Sequence, residues 1–292
     1  MKKLFTLLSI LLFFVAITNA QTVDIGLKGG VAIPNIVGGN NNPLSEGYKS
    51  RFSGNGGFFT EIKFNNHEKI SFRFGVEYIG QGGKRNGMQA MSSNQVIMDM
   101  ATQMSNISEE TVALLAQMGA LMPPYFYADV KNTAKFDYLM IPLSIQIGKD
   151  LGQSPWQVYV NAGPFVSLLM SGEQVSKGMS LLYVDANKST SVWENVPVPI
   201  QTTITSNVPE LANVLENGSE FGTSNITGTL RPVNVGVQGN IGLSYKCDNG
   251  NKFFAEIGGN YGFVRIQKDK NNGVNRLGAA TVMFGYAFNI MK

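Results

Sequence analysis

Eight segments of this chain alternate apolar and polar residues with a period of two, a spacing that belongs to strands and not to helices. The third is the cleanest: Ile70, Phe72, Phe74, Val76 and Tyr78 oppose Ser71, Arg73, Gly75 and Glu77. In the first, Val23, Ile25, Leu27 and Val31 oppose Asp24, Gly26, Lys28 and Gly30. In the fourth, Leu139, Ile141, Leu143, Ile145 and Ile147 oppose Tyr138, Met140, Pro142, Ser144 and Gln146. Further segments begin at Phe58, Val158, Val233 and Phe253, and the last sets Ala280, Val282, Phe284, Tyr286, Phe288 and Ile290 against Thr281, Gly285 and Asn289. One face reads as apolar in all eight, and the other as polar or Gly.

The connections carry the second constraint. Brief links fall at Asn65–Glu68, Lys149–Pro155 and Cys247–Asn251. Long insertions fall at Val37–Gly54, Gly82–Asn132, Ser171–Arg231 and Arg265–Asn275. With both termini on the side of the brief links, every long insertion lies on the other side, as in an outer-membrane barrel with short periplasmic turns and longer extracellular loops. The expected fold is therefore all-β: an eight-stranded antiparallel transmembrane β-barrel with long extracellular loops, one containing a helical hairpin. The competing layout is a soluble, lipocalin-like barrel with its apolar face turned inward. Large aromatics on the apolar faces, charges beside Gly on the polar faces and the segregation of loops to one end all count against it.

The N-terminus agrees with export. Lys2 and Lys3 precede the apolar run Leu4–Ile17, and Thr18-Asn19-Ala20 is a small-residue cleavage site. We read 1–20 as a signal peptide and 21–292 as a single barrel domain with insertions at about 82–132 and 171–231. An uncleaved anchor helix is the alternative, and the apolar run is short for one. Residue 21 is Gln and not Cys, which argues against a lipoprotein. Only 15% of residues are charged, against about 25% in a soluble domain, a deficit explained if half of each strand faces lipid. The single Cys247 allows no internal disulfide, and a net charge of +3 without a basic cluster gives no reason to expect nucleic acid.

Aromatic residues gather near the expected periplasmic strand ends, at Phe64, Trp156, Tyr245, Phe253, Tyr286 and Phe288, with Tyr78 and Phe263 toward the other end. Rings with an apolar body and a polar tip favour membrane interfaces. Pro142 and Pro164 fall inside adjacent strands at similar heights. Neither can donate to a ladder, so a bulge or weakened pairing is expected there.

Several segments together resemble the PorT-type outer-membrane β-barrel family of Bacteroidetes-type bacteria. They are Gly26-Leu27-Lys28-Gly29-Gly30, Phe74-Gly75-Val76-Glu77-Tyr78 with Gly80-Gln81-Gly82, Tyr138-Leu139-Met140-Ile141-Pro142-Leu143, Ala162-Gly163-Pro164 and the closing Gly285-Tyr286-Ala287-Phe288. The resemblance implies an eight-stranded barrel. Some members assist a protein-secretion apparatus, and most have no assigned activity.

An eight-stranded barrel has room inside only for its own side chains. Here these are expected to include Lys28, Glu61, Lys63, Arg73, Glu77 and Glu256. Paired charges satisfy one another where water is scarce, so the set either fills the lumen as a structural network or forms a gate or ion path. Proton-moving outer-membrane enzymes generally need a His beside a Ser or carboxylate. The only His, His67, falls in an expected periplasmic turn, so we expect no enzyme and no catalytic residue. No His or Cys cluster has metal spacing, and no metal or cofactor is expected.

Function is expected in the loops. Ser108-Glu109-Glu110-Thr111 reads as a capped helix start, followed by the stripe Val112, Leu115, Met118 and Leu121 or Met122, and ended by Pro123-Pro124. Ile97, Met98, Ala101 and Met104 mark a second helical stretch, and Glu210–Leu215 a shorter one. Methionine makes adaptable apolar surfaces. The second loop therefore reads as a self-packed cap meeting the third loop, as a docking surface through Met98, Met104, Val112, Leu115 and Met118, or as a pocket for a hydrophobic ligand. Met98, Met100 and Met104 also hold the soft donors that copper would use. The expected protein is a non-enzymatic outer-membrane barrel, surrounded by outer-membrane lipid, whose loops bind a protein partner or shield the lumen. The alternative is transport of a small hydrophobic ligand gated by the Met-rich loop.

Overall fold

The computed structural model describes residues 20–39, 42–64, 69–103, 113, 119 and 121–291. The signal segment 1–19, His67 and the helix start Ser108–Thr111 lie outside the described residues. Eight long strands follow one another: β1 (Ala20–Val37), β2 (Ser53–Phe64), β3 (Ile70–Ser92), β4 (Tyr125–Asp150), β5 (Trp156–Lys177), β6 (Val233–Lys246), β7 (Lys252–Gly262) and β8 (Arg276–Met291). Each pairs antiparallel with its neighbours in sequence, and β1 pairs β8 from Val23↔Met291 to Val37↔Arg276. The strands therefore form a ring of eight.

Period two decides what each residue meets. Outward positions carry a belt of exposed apolar side chains: Leu27 and Val31 on β1, Val76 on β3, Leu143 and Ile145 on β4, Val160 on β5, Ile241 on β6, Ile257 on β7 and Phe284 on β8. Such a belt is stable against hydrocarbon and unfavourable against water. Val23 and Ile62, paired across β1 and β2 on this same face, are buried. At the short-turn end the belt finishes in edge-to-face aromatic pairs, Trp156–Tyr245, Phe253–Tyr286 and Tyr286–Phe288. The ladder lapses where Pro142 and Pro164 lie. The β3–β4 pairing skips from Phe74↔Leu143 to Glu77↔Met140, and β4–β5 from Pro142↔Phe165 to Ile145↔Ala162. Register is unchanged across both gaps, so the prolines weaken pairing without a bulge. The register shift lies higher, at Asp137/Tyr138.

The glycines of the inner face have a packing reason. Phe59, Tyr159, Phe165 and Phe254 point into the ring, and each lies over a glycine directly opposite on the adjacent strand: Gly26, Gly242, Gly236 and Gly285 respectively. A Cβ at any of these glycines would collide with the ring above it. Toward the long-loop end the interior turns apolar, with Ile36, Ile79, Tyr138, Met140, Phe165 and Leu277 in one buried cluster. This corrects the expectation of a polar or glycine-only inner face.

The loop boundaries are also corrected. Residues 82–132 and 171–231 are not loops throughout. β3 runs on to Ser92, β4 begins at Tyr125 and β5 runs to Lys177, so a hydrogen-bonded ribbon continues past the belt. Along β4 the even-numbered residues stay buried from Phe126 upward, but the odd-numbered ones change from Leu139, Ile141 and Leu143 to Asp129, Lys131, Lys135 and Asp137. The apolar face is then the inner one, as required where a strand leaves lipid for water. At this boundary Asp137 accepts from the Tyr78 hydroxyl at 2.6 Å and from Ser171 Oγ at 2.7 Å.

Helices cover the ribbon: α1 (Ser93–Gln103), α2 (Val192–Asn195), α3 (Val198–Asn207) and α4 (Pro209–Asn217). A capping box starts α2: Ser191 Oγ accepts from the Glu194 amide, and the Glu194 carboxylate from the Ser191 amide. Pro209 opens α4, and Gly218, at φ +90°, takes the backbone out of it. No helix among the described residues is long and apolar enough to cross a membrane.

Candidate functional site

The half of the interior nearer the short turns holds a chain of buried charges. All six expected lumen residues face inward. Lys28 Nζ lies 2.8 Å from Glu77 and 3.8 Å from Glu256. Arg73 pairs with Glu256, and its guanidinium stacks 3.7 Å above the Phe59 ring and 5.1 Å from that of Phe254. The Tyr159 hydroxyl and Asn161 amide donate to the same Glu256 carboxylate at 2.9 and 3.2 Å. Glu61 accepts from Ser71 at 2.9 Å and Gln146 at 3.1 Å. Lys63 is half-buried at the end of this chain.

Two members were not among the expected residues. Lys252 pairs with Asp24 and lies 3.8 Å from Glu61, joining the Glu61 and Asp24 carboxylates. Their signal is present in the sequence: Asp24 and Lys252 stand four residues before Lys28 and Glu256 on the same strands, hence on the same face. Starting the seventh strand at Phe253 leaves Lys252 out. The buried acids Asp24, Glu61, Glu77 and Glu256 thus face Lys28, Arg73 and Lys252, and the half-buried Lys63 supplies a fourth cation. Burying ions is costly unless each finds a partner, and this arrangement gives each of the buried ones, though not the half-buried Lys63, a partner or a shared one.

Among the described residues the network is closely packed, with Lys28, Arg73 and Lys252 buried beside their acids. Two voids inside the ring measure about 10 Å³ each, one beside Lys28 and Glu77 and one within the apolar cluster. Each has room for about one water. The apolar cluster of Tyr138, Met140, Phe165 and Leu277 closes the interior above the charges.

Over the long-loop end a second buried core forms. Phe126, Ala128 and Val130 from the β4 extension pack with Ile97 and Met122 of the second loop and with Leu182, Val192, Val196, Ile204, Leu211, Ala212 and Leu215 of the third. The second loop therefore meets the third through Ile97 and Met122. Met98, one residue on from Ile97, is 63% exposed, as is Leu121 at 55%. Met104, Val112, Leu115 and Met118 lie outside the described residues. Among the described residues no group of three or more His, Cys, Asp or Glu is placed to hold a metal.

A ring of eight antiparallel strands, apolar toward its surroundings and plugged with paired charges, defines an integral outer-membrane β-barrel. The chain belongs to the outer membrane protein beta-barrel domain family, whose match covers residues 19–267. It is accordingly a protein of the bacterial outer membrane. Among solved structures it is similar to Neisserial surface protein A, at 14% identity over 90% of this chain and 97% of that one, with a TM-score of 0.34. It is similar to Ail, the attachment invasion locus protein of Yersinia pestis, at 10% identity over 91% and 98%, TM-score 0.33. It is also similar to the outer membrane protease OmpT of Escherichia coli, at 6% identity over 93% and 98%, TM-score 0.41. Among curated proteins none matches the sequence.

Proposed function

We propose that this protein is a closed, non-enzymatic barrel that holds a folded cap outside the cell and docks a protein partner through it. The long-loop end faces outward in this reading, and residues 1–20 are the removed signal. The observation that carries it is the pairing of a plugged interior with a cap that has its own core. A cap over a closed interior has no solute to gate, which weighs against the transport alternative. Among the described residues Met98 and Leu121 are large apolar side chains that the second loop leaves exposed, and the docking surface is assigned to them together with Met104, Val112, Leu115 and Met118, which the sequence sets beside them and which lie outside the described residues. The PorT-type kinship belongs to the same proposal, with the partner a component of a secretion or surface assembly.

The test is a mild-detergent pull-down of the native protein from outer membranes, compared with Met98→Glu. We expect a stoichiometric partner that is lost in the variant. A barrel that purifies alone, or a complex that survives deletion of 93–122 unchanged, would refute the docking role. Uptake of a small apolar ligand into vesicles that depends on 93–122 would favour transport.

A further inference from the structure

Three arginines meet where β6, β7 and β8 leave the apolar belt. Arg231 lies just before β6, Arg265 just after β7, and Arg276 opens β8. With Val264 and Val274 they line an open pocket of about 340 Å³. Backbone carbonyls hold two of the guanidiniums in place. Arg276 Nε donates to Phe263 at 2.9 Å, and Arg265 donates to Gln267 and Lys268, both at 3.1 Å. Arg231 Nε is buried without an acceptor. Among the described residues none of the three forms an ion pair. Like charges gathered around one pocket repel, and an anion between them would relieve that repulsion.

Directly beneath, the outward face of the same strands is hollow. Ala162, Gly239, Gly259 and Ala280 form one register row across β5 to β8. The row below it carries Val160, Ile241, Ile257 and Val282, so the small residues sink a trough of about 590 Å³ into the belt. Arg276 stands four residues from Ala280 on β8, about 13 Å along the strand. At a strand tilt of roughly 40° this is about 10 Å along the membrane normal, within one leaflet of the hydrocarbon core.

We propose that this face binds a phosphorylated lipid of the outer leaflet, with its phosphate between Arg231, Arg265 and Arg276 and an acyl chain in the trough. Guanidinium groups match phosphate oxygens in both charge and geometry. The trough, which a soluble anion would leave empty, selects a lipid. The choice of leaflet rests on the outward orientation proposed above; the phosphate contact does not.

The test is native mass spectrometry of the full-length barrel in detergent, titrated with bisphosphorylated lipid A, with its dephosphorylated form, with phosphatidylglycerol and with inorganic phosphate. Wild type should retain lipid A in preference to all three. Arg231→Gln with Arg276→Gln should weaken retention by at least about tenfold. Gly239→Leu should do the same from the other end. A Cβ there meets nothing closer than 3.7 Å, so this variant fills the trough without straining the strand. Lys135→Gln, exposed on β4, should change nothing. Heat-modified electrophoretic mobility checks that each variant is folded. Equal retention of the dephosphorylated lipid overturns the phosphate contact. Displacement by inorganic phosphate with no effect of Gly239→Leu reduces the site to an anion pocket and overturns the lipid. Preference for phosphatidylglycerol overturns the outer leaflet, and with it the orientation, while leaving the docking role of the cap to its own test.

Discussion

Arginine placed at successive outward positions of β4 should meet a graded penalty. The belt on β4 runs from Leu139 to Ile147, with Asp137 beyond its upper edge. Leu143, 44% exposed, stands four residues from either end. Four residues are about 13 Å along the strand, or about 10 Å along the membrane normal at a tilt of roughly 40°. Leu143 therefore lies at the midplane and Leu139 at the interface. Leu143→Arg should cost about 2–4 kcal/mol and Leu139→Arg about 0–1 kcal/mol. The first corresponds to a change of roughly 30-fold or more in the unfolding constant. Ser144→Arg points the other way. Ser144 pairs with Arg73 across β3 and β4, so a second guanidinium there is buried without a carboxylate and should block assembly. The assay is reversible denaturant unfolding in phospholipid vesicles, followed by the fluorescence of Trp156 and Trp193, the chain's two tryptophans. Equal and small effects at 143, 139 and 144 would refute both the strand phase and the lipid contact.

Two further outcomes follow from the buried charges and from the cap. Glu256→Ala strands Arg73, which is 5% exposed, and should destabilise the barrel by about 3–5 kcal/mol, whereas Arg73→Met combined with Glu256→Leu should recover most of that loss; a single-variant cost below about 1 kcal/mol in the same unfolding assay would contradict the pairing. In the cap, the Ser189 hydroxyl and the amides of Asn187, Ser189 and Thr190 donate to Asp185 and hold its carboxyl below the ordinary value. A depressed folded value means that this turn is supported above the unfolded pKa of about 4 and loses that support as pH falls through the folded one. Protection of the Asn187 and Thr190 amides, taken relative to their intrinsic exchange rates at each pH, should therefore fall in acid, with a midpoint below about 4, and Asp185→Asn should remove the dependence; a midpoint at or above about 4 would be inconsistent with these hydrogen bonds.

The ring was legible because period two is imposed by backbone geometry and one face of each strand meets lipid. Sequence reading faltered where the solvent changes. Past Asp137 the alternation on β4 continues, but its sense reverses: Ala134, Val130 and Ala128 face inward and Lys135 and Lys131 outward. Read with the lipid-facing sense, this stretch looks like loop, which hides the ribbon. The charged lumen residues were legible by phase alone, and Asp24 and Lys252 obey the same rule. Their partners across the ring were not legible, because Arg73 and Glu256 are 183 residues apart and meet only when it closes. The core of the cap was least accessible. Its contacts join short helices of two different loops to the β4 extension, pairings far apart in sequence that no single period predicts, and Ile97 rather than Met98 turns inward.

The glycines beneath the inner rings bear on how the strands find their alignment. A slip of one residue turns every side chain to the wrong face, so the apolar pattern forbids it. A slip of two keeps each face correct, and the belt alone would accept it. The rings would not. Tyr159 would move from Gly242 onto Asn240 or Ser244, Phe165 from Gly236 onto Asn234 or Gln238, Phe59 from Gly26 onto Asp24 or Lys28, and Phe254 from Gly285 onto Met283 or Ala287. Every alternative puts a side chain where a ring must lie. These four pairs act as a vernier on three of the eight seams, disfavouring an even slip that hydrophobicity alone cannot detect.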